Sequence, residues 1–508
     1  MMQHTITIEP TGKIIRASAG ELLKSAVEKA GYIFPMNCNG MGTCSNCRVQ
    51  FLSPSPKMKS AEKQMFGSKS PFRMACMHTV EYDCTITLPI MTEMINIKSI
   101  TGFELPGGKD GYGVGVDLGT TTVALYFIDR QSGTIMDQFS FLNPQNALGG
   151  DVMTRLKVAA EGTGLQELRK QILGALNRSI TKMLKTHSVR RNAVKEIIVA
   201  GNTVMTHLFL GVNTSGLDGV PFKSLLQGHD WLAFDPGSVG LSTKTQARVF
   251  PVLSGFIGGD TAAAILACGL DHKKGVSLLI DLGTNGEIVL ARDGVLHATS
   301  AAAGPAFDGM GMYSGMPALP GAIEGISGEG QPLTIGHKDV LGICGSGYIA
   351  LMAHMLSHRL VDYTGLLQNT PAGKPYWSPI STRSKVRITQ EDIRKFQLAK
   401  GAISAGIDIL CQEAQIDFTR LEQIIVTGSF GNRIDLTAAM QIGLIPRIPE
   451  ERVFFIDNAA GRGAVLSLGD SELFERVREF KNRLKVINLA DHPHFQDIFA
   501  QGMLFPSA

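Results

Sequence analysis

Thr5 to Pro10 (TITIEP) alternates β-branched and polar residues, the pattern of a half-buried strand, and Lys13 to Ala19 predicts a second. From Glu21 to Ala30, apolar residues at Leu22, Leu23, Ala26, Val27 and Ala30 form a helical stripe, which Gly31 ends. DCTITLP, which contains Cys84, predicts another strand. The pattern then breaks: Met91 to Tyr112 carries PGGKDG, a flexible breaker. From Tyr112 a new form begins. YGVGVDLGTTTVALYFID is an apolar strand, a Gly-Thr turn and a second apolar strand, and VSLLIDLGTNGEIVLARDG, from Val276, repeats it. Two copies of one strand-turn-strand unit predict a duplicated fold with one hairpin per half. Between and after them, IIVAGNTVMTHLFLG (from Ile197) and ICGSGYIAL (from Ile343) each predict a turn opening a helix, and with the Gly- and Ala-rich ATSAAAGPAFDGMGMYSG (from Ala298) they predict loops lining a cleft. Leu360 to Ile388 predicts an exposed excursion, Glu472 to Leu484 a charged amphipathic helix and Asp491 to Ala508 a tail.

At 508 residues the chain should hold several domains, each with its own core. The breaks divide it into residues 1–89, a flexible linker over 90–112, and a region over 113–508 of two subdomains, approximately 113–195 and 196–508. A formal net charge of +3 gives no reason to invoke nucleic acid. No stretch of about 18 apolar residues spans a membrane, and the N-terminus lacks the signal-peptide pattern. Eight cysteines in a chain this long are no disulfide framework, so the expected compartment is the reducing cytoplasm. Lys57, Lys59, Lys63, Lys69 and Arg73 form a basic cluster, read either as a solvated loop or as a face for an acidic partner.

The cysteines carry the first chemistry. Cys38, Cys44 and Cys47 are spaced C-x5-C-x2-C, with Gly40 and Gly42 between the first two, and Cys76 follows at a distance. Three thiolates in one tight loop plus a distant fourth suit a [2Fe–2S] cluster, whose sulfides need backbone donors that a glycine-bearing loop supplies. Structural zinc usually pairs two C-x2-C hooks, and only one is present. Cys84 competes with Cys76 for the fourth place, although its strand setting suits a core thiol. The loop resembles the vertebrate- and bacterial-type [2Fe–2S] ferredoxins, which implies a β-grasp, ferredoxin-like α+β domain.

The two hairpins carry the second. Asp117 precedes Gly119, Thr120, Thr121 and Thr122; Asp281 precedes Gly283, Thr284, Asn285 and Gly286. Glycine lets backbone N–H groups approach phosphate oxygens, and an aspartate beside them suits the accompanying metal. This is not the Walker turn, since no GK[ST] follows. The arrangement resembles the ATPase superfamily of actin, sugar kinases and heat-shock chaperones, which implies a duplicated α/β actin-like fold that binds ATP with Mg²⁺. On that resemblance Asp260, before Thr261-Ala-Ala-Ala, orients the attacking water, and Asp117 and Asp281 hold Mg²⁺ through water. Gly428, Ser429 and Gly431 lie against the nucleoside, and Lys400 falls on the adenine-contacting helix with Gln397, Leu398, Ala399, Gly401 and Ser404.

Taken whole, through the cysteine set, DLGTTT, DLGTNGE and AAAGPAF, the chain resembles the reductive activators of corrinoid-dependent methyltransferase systems. The resemblance implies ATP-dependent, one-electron reduction of cob(II)amide to cob(I)amide on a corrinoid protein, with electrons from an external donor. It implies neither nucleic acid nor membrane, and a homodimer is compatible with it. The Ser300–Phe307 loop is the candidate for facing the corrin. The rival readings are an ATP-gated donor to another low-potential metalloenzyme and a nucleotide-dependent redox sensor.

Overall fold

The computed structural model describes residues 3–9, 13–29, 34, 42, 47–66, 70–88, 100, 105, 107–283, 285–309, 311–368, 376–380, 386–428, 434–470 and 472–506. The alternating N-terminal segments form β1 (Gln3–Glu9) and β2 (Lys13–Ser18), followed by α1 (Leu23–Lys29), β3 (Arg48–Ser53), α2 (Ser60–Phe66), β4 (Phe72–Met74) and β5 (Cys84–Thr87). The strands make one sheet in the order β2-β1-β5-β3-β4. β1 pairs antiparallel with β2 and parallel with β5, where Ile6 meets Cys84. The inward positions of β1, Ile6 and Ile8, join Val27, Val49 and Ile86 in a separate small core. Glu62 is fully buried and accepts from the backbone of Lys59 and Met74, with His78 Nε2 at 2.8 Å. Arg73 does not belong to a surface cluster: it is buried, donating to the carbonyls of Pro56, Ser70 and Phe72.

The first hairpin is β6 (Tyr112–Leu118) and β7 (Thr122–Asp129), continued by β8 (Thr134–Leu142), α3 (Val152–Ala160), α4 (Gly164–Thr186), β9 (Val194–Gly201), α5 (Thr203–Leu210), β10 (Leu232–Ala233), β11 (Gln246–Val249) and α6 (Gly259–Cys268). The second is β12 (Val276–Leu282) and β13 (Gly286–Arg292), continued by β14 (Val295–Ala301). Then come β15 (Ala322–Ile326), β16 (Pro332–Thr334), β17 (Gly342–Ile343), α7 (Gly345–Ser357), β18 (Tyr376–Trp377), β19 (Ile388–Thr389), α8 (Gln390–Glu413), β20 (Gln423–Gly428), α9 (Leu436–Gln441), β21 (Val453–Phe455), α10 (Ala459–Gly469), α11 (Glu472–Lys481), β22 (Leu484–Val486) and α12 (Phe495–Met503).

The two large sheets repeat one design. The first runs β10-β11-β9-β6-β7-β8 and the second β21-β20-β12-β13-β14-β22. In each, the hairpin's first strand pairs antiparallel with its second and parallel with a later strand, β9 or β20. β6 and β7 are apolar runs because both faces of their sheet are covered. α4 and α5 cover one face through Leu168, Ile172, Leu176, Met205 and Leu208. α6 and α10 fill the space between the sheets, meeting Tyr126 and Ile198 of the first and Leu279 and Ile425 of the second. They cross closely enough that a Cβ on Gly463 would collide with the Ala263 carbonyl.

Two expected boundaries are corrected. A division at 195/196 would cut β9, whose Glu196 pairs with Gly113 of β6; the sheets divide the chain between β11 and β12. The chain geometry explains this, since the parallel partner of β6 can arrive only after a crossover through α3 and α4. The expected linker is not free throughout: Ile100 and Leu105 are buried in the inter-sheet core, and their N–H groups donate to Gln138 Oε1 and the Gly133 carbonyl. Residues 89–99 lie outside the described residues. The expected tail is the helix α12, packed on α8.

Candidate functional site

Two sites are built from the motifs. In the N-terminal sheet, β3 begins one residue after Cys47 and β4 ends two residues before Cys76, and β3–β4 pairing (Arg48↔Met74) brings the two cysteines together. Their sulfurs are 3.2 Å apart and both side chains are buried. That separation is far beyond a disulfide bond, about 2.05 Å, so the two sulfurs are not joined to each other and converge as two ligands of one metal do. Gly42 has φ of +74°, and a Cβ there would stand 2.8 Å from Met77 Sδ, so its backbone lies close against the residue after Cys76. The donors described therefore fit an iron–sulfur group; Cys38 and Cys44 lie outside the described residues. Cys84 faces the core of β5, and burial pushes its thiol up to about 11, the behaviour of an inert thiol.

The second site is a cleft between the two sheets. Both hairpin turns open into it. Asp117, Gly119, Thr120, Thr121 and Thr122 come from the first, and Asp281, Gly283 and Asn285 from the second. Asp260 of α6 and Gly428 of β20 complete the expected set that lines it. Five further residues line it: Asn202 and Asp308, from segments expected to form cleft-lining loops, and Glu287, Asn458 and Ala460, which carry no such expectation. Asn202 caps α5 through the Met205 N–H at 2.9 Å and donates to Thr120 Oγ1 at 2.9 Å. Asn458, at φ of +35°, caps α10 through the Gly461 N–H and donates to Tyr126 Oη.

The electrostatics are divided. Asp117, Asp260, Asp281, Glu287 and Asp308 bring five carboxyl groups into one cleft, while α5, α6 and α10 all begin at its wall. Carboxylates call for a cation and helix N-termini for an anion, so the cleft suits a divalent cation held together with a phosphate-like group. Glu287 answers the crowding: desolvation, then the charges of Asp260 and Asp281, raise its carboxyl well above the ordinary carboxylate range. Ser300 Oγ lies 3.4 Å from Glu287 Oε1.

Some expected residues fall elsewhere. Lys400 is not at the cleft. Its ammonium is buried under α12, donating to the Gly502 carbonyl at 2.5 Å and the Leu504 carbonyl at 2.7 Å, with Phe505 beside it. Gln397 likewise donates to the carbonyls of Thr364 and Met503, so this face of α8 is covered by the chain's own C-terminal helix. Gly286 is buried at the start of β13, behind the turn rather than in its wall. Thr284, Ser429 and Gly431 lie outside the described residues. In the Ser300–Phe307 loop Ala302 and Pro305 are exposed, whereas Phe307 is buried against Phe396 and its neighbour Asp308 lines the cleft. Glu287 and Asn458 share no local pattern. Asn202, in a Gly-Asn-Thr turn before a helix, also carries the signal of a cap.

Among the described residues no helix is long and apolar enough to cross a membrane. Residues 275–508 match the family model described as the C-terminal domain of RACo, the ASKHA domain, and residues 112–273 match the RACo middle region. Residues 6–81 match the 2Fe-2S iron-sulfur cluster binding domain. The chain is 33% identical over 421 residues to the corrinoid activation enzyme RamQ of Eubacterium limosum, a match covering 78% of this chain and 71% of that protein. It is 27% identical over 407 residues to the [Co(II) methylated amine-specific corrinoid protein] reductase of Methanosarcina barkeri, covering 71% of each. A solved structure of a reductive activator for a corrinoid, iron-sulfur protein shares its fold, with a TM-score of 0.70 over 99% of this chain and 98% of that one, at 24% identity. An N-terminal iron–sulfur domain, a duplicated two-sheet body and these matches together place the chain in the family of reductive activators of corrinoid proteins.

Proposed function

We propose that this protein is an ATP-dependent activator that returns one electron to the cobalt of a corrinoid protein, taking cob(II)amide to cob(I)amide in a methyl-transfer system. The observation that carries the ATP part is the convergence of both hairpins and Asp260 on one cleft. Cys38, Cys44, Cys47 and Cys76 would hold a [2Fe–2S] cluster, which supplies a one-electron carrier that an external donor reduces. Asp117 and Asp281 would hold Mg²⁺ through water, and the Gly119–Thr122 and Gly283–Gly286 turns would cradle the phosphates. Asp260 accepts from the Thr261 N–H at 2.7 Å, which fixes its carboxylate at the cleft, where it can orient an attacking water. ATP is needed because downhill transfer to cobalt fails when the acceptor's potential lies below the donor's. Hydrolysis then selects the state of the complex in which reduction is favourable.

The test is steady-state phosphate release by the reduced protein with Mg-ATP and a cob(II)amide protein. Multiple turnovers stimulated by the corrinoid protein are expected. Asp260→Asn should lower the rate by roughly 10²- to 10⁴-fold while Mg-ADP still binds. Nucleotide binding without turnover, with or without the corrinoid protein, would favour a redox sensor instead.

A further inference from the structure

Behind the first phosphate turn lies a buried polar network that the proposed chemistry does not yet use. Arg155, on α3, is the largest of the fully buried side chains. Its Nε donates to the Gly149 carbonyl at 2.8 Å, and Nη1 to Gln145 Oε1 at 3.3 Å and Met205 Sδ at 3.0 Å. Nη2 donates to the Thr120 carbonyl at 2.7 Å and to Asn146 Oδ1. None of these acceptors is a carboxylate. Burial, against the opposing pull of the Asp151 carboxylate, lowers the guanidinium to about 9, which leaves it cationic at neutral pH. Taking a cation out of water against neutral partners is costly, so something must offset it.

The network's targets are specific. Asn143 Nδ2 donates to the Gly119 carbonyl at 2.9 Å, Arg155 to the Thr120 carbonyl, and the Asn143 N–H to the Thr121 carbonyl at 2.8 Å. Asn146 Nδ2 reaches the same Thr121 carbonyl at 3.4 Å. Asn143, Gln145, Asn146 and Arg155 are all buried, and Gln145 is itself tied to the Leu168 carbonyl of α4 at 2.9 Å. In a trans peptide the C=O and N–H point in opposite directions. Holding three successive carbonyls from behind therefore turns the N–H groups of Thr120, Thr121 and Thr122 away from the network, and these residues line the cleft.

We infer that Arg155, with Asn143 and Asn146, is a positioning device for phosphate recognition. It sets the amides of the first turn in the geometry an anion needs and places a buried positive charge directly behind them. A bound polyphosphate then adds negative charge to that of Asp151, through one layer of peptide. The device discriminates for the phosphate part of a nucleotide and is indifferent to the nucleoside. This rests on the nucleotide reading of the cleft.

The experiment uses the full-length, cluster-loaded protein and isothermal titration with Mg-ADP and, in parallel, with adenosine. In Arg155→Gln, Mg-ADP affinity should fall roughly tenfold to a hundredfold, while adenosine affinity changes by less than about twofold. Arg155→Lys, which keeps the charge but not the fork, should lie between it and the parent. Asn143→Ala keeps Arg155 and removes the partner of one carbonyl; it should show the same selective loss, and it serves if Arg155→Gln does not fold. Equal weakening of both ligands would mean a merely structural role and would overturn the inference, as would no change in either. If the parent protein bound adenosine but not Mg-ADP, the phosphate reading of the cleft would fail first.

Discussion

Cys76 and Cys84 differ by one strand of context, and that context decides their chemistry. Cys76 lies in the short turn after β4 with its sulfur beside Cys47, whereas Cys84 alternates with Thr85 in β5 and faces the core. Cys76→Ser should therefore bleach most of the visible iron–sulfur absorption of the purified protein, while Cys84→Ser leaves the spectrum of the parent. The opposite pattern would reassign the fourth ligand. Residues of this kind are legible because their chemistry imposes a local signature, as do Asp117 and Asp281 at strand ends before Gly-Thr turns. Glu287 and Asn458 are not, because they come from separate elements that only the closed fold brings to one cleft. Lys400 shows the converse failure. A helix that matched an expected ligand-contacting segment was covered by a part of the chain with no motif of its own.

At the scale of elements, that cover makes its own claims. α12 docks on α8 through buried polar contacts as well as apolar ones, with Lys400 satisfying two carbonyls near the C-terminus. Lys400→Met retains the apolar stem but leaves both carbonyls without this donor. It should lower stability by about 1–3 kcal/mol in denaturant titrations, with Mg-ADP affinity within about twofold of the parent. A selective loss of nucleotide affinity would return Lys400 to the cleft.

The same pair sets a pH limb. Burial raises Asp408 to about 6, against the pull of Lys400. The folded state thus holds this proton more tightly than the unfolded chain. Its contribution to stability is complete below the unfolded value, 3.8, and is lost as the pH rises through about 6. Asp408→Asn should flatten that limb in thermal melts between pH 4 and 7; an unchanged pH profile would place the proton elsewhere. The hairpins, α1 and the duplication were legible as elements because hydrophobic period and turn chemistry agree there. The division of the halves was not, because β9 looks no different from the start of a new domain until its pairing with β6 is known. α12 was missed because its apolar stripe is short and lies at the chain's end.

For the molecule as a whole, the two sheets meet over α6 and α10, the helices that begin at the cleft. A ligand that pulls Asp117 and Asp281 toward a shared cation therefore acts on both halves at once, the arrangement that lets a small change at a site become a rotation of one half against the other. The connection to the N-terminal sheet joins this body at Ile100 and Leu105, which are packed between the sheets rather than held in solvent. Any reach of the iron–sulfur domain toward a corrinoid protein begins before Ile100, so it starts from a point anchored to the element pair that nucleotide would move.

The account's central claim is that nucleotide turnover controls electron delivery to cobalt. It is tested most directly by following the cobalt spectrum under anaerobic conditions, with reduced activator, a cob(II)amide protein of the methyl-transfer class, and Mg-ATP. The cob(I) absorption band should appear with Mg-ATP and stay near background without nucleotide or with Asp281→Ala. Equal rates of cob(I) formation in all three mixtures would contradict it.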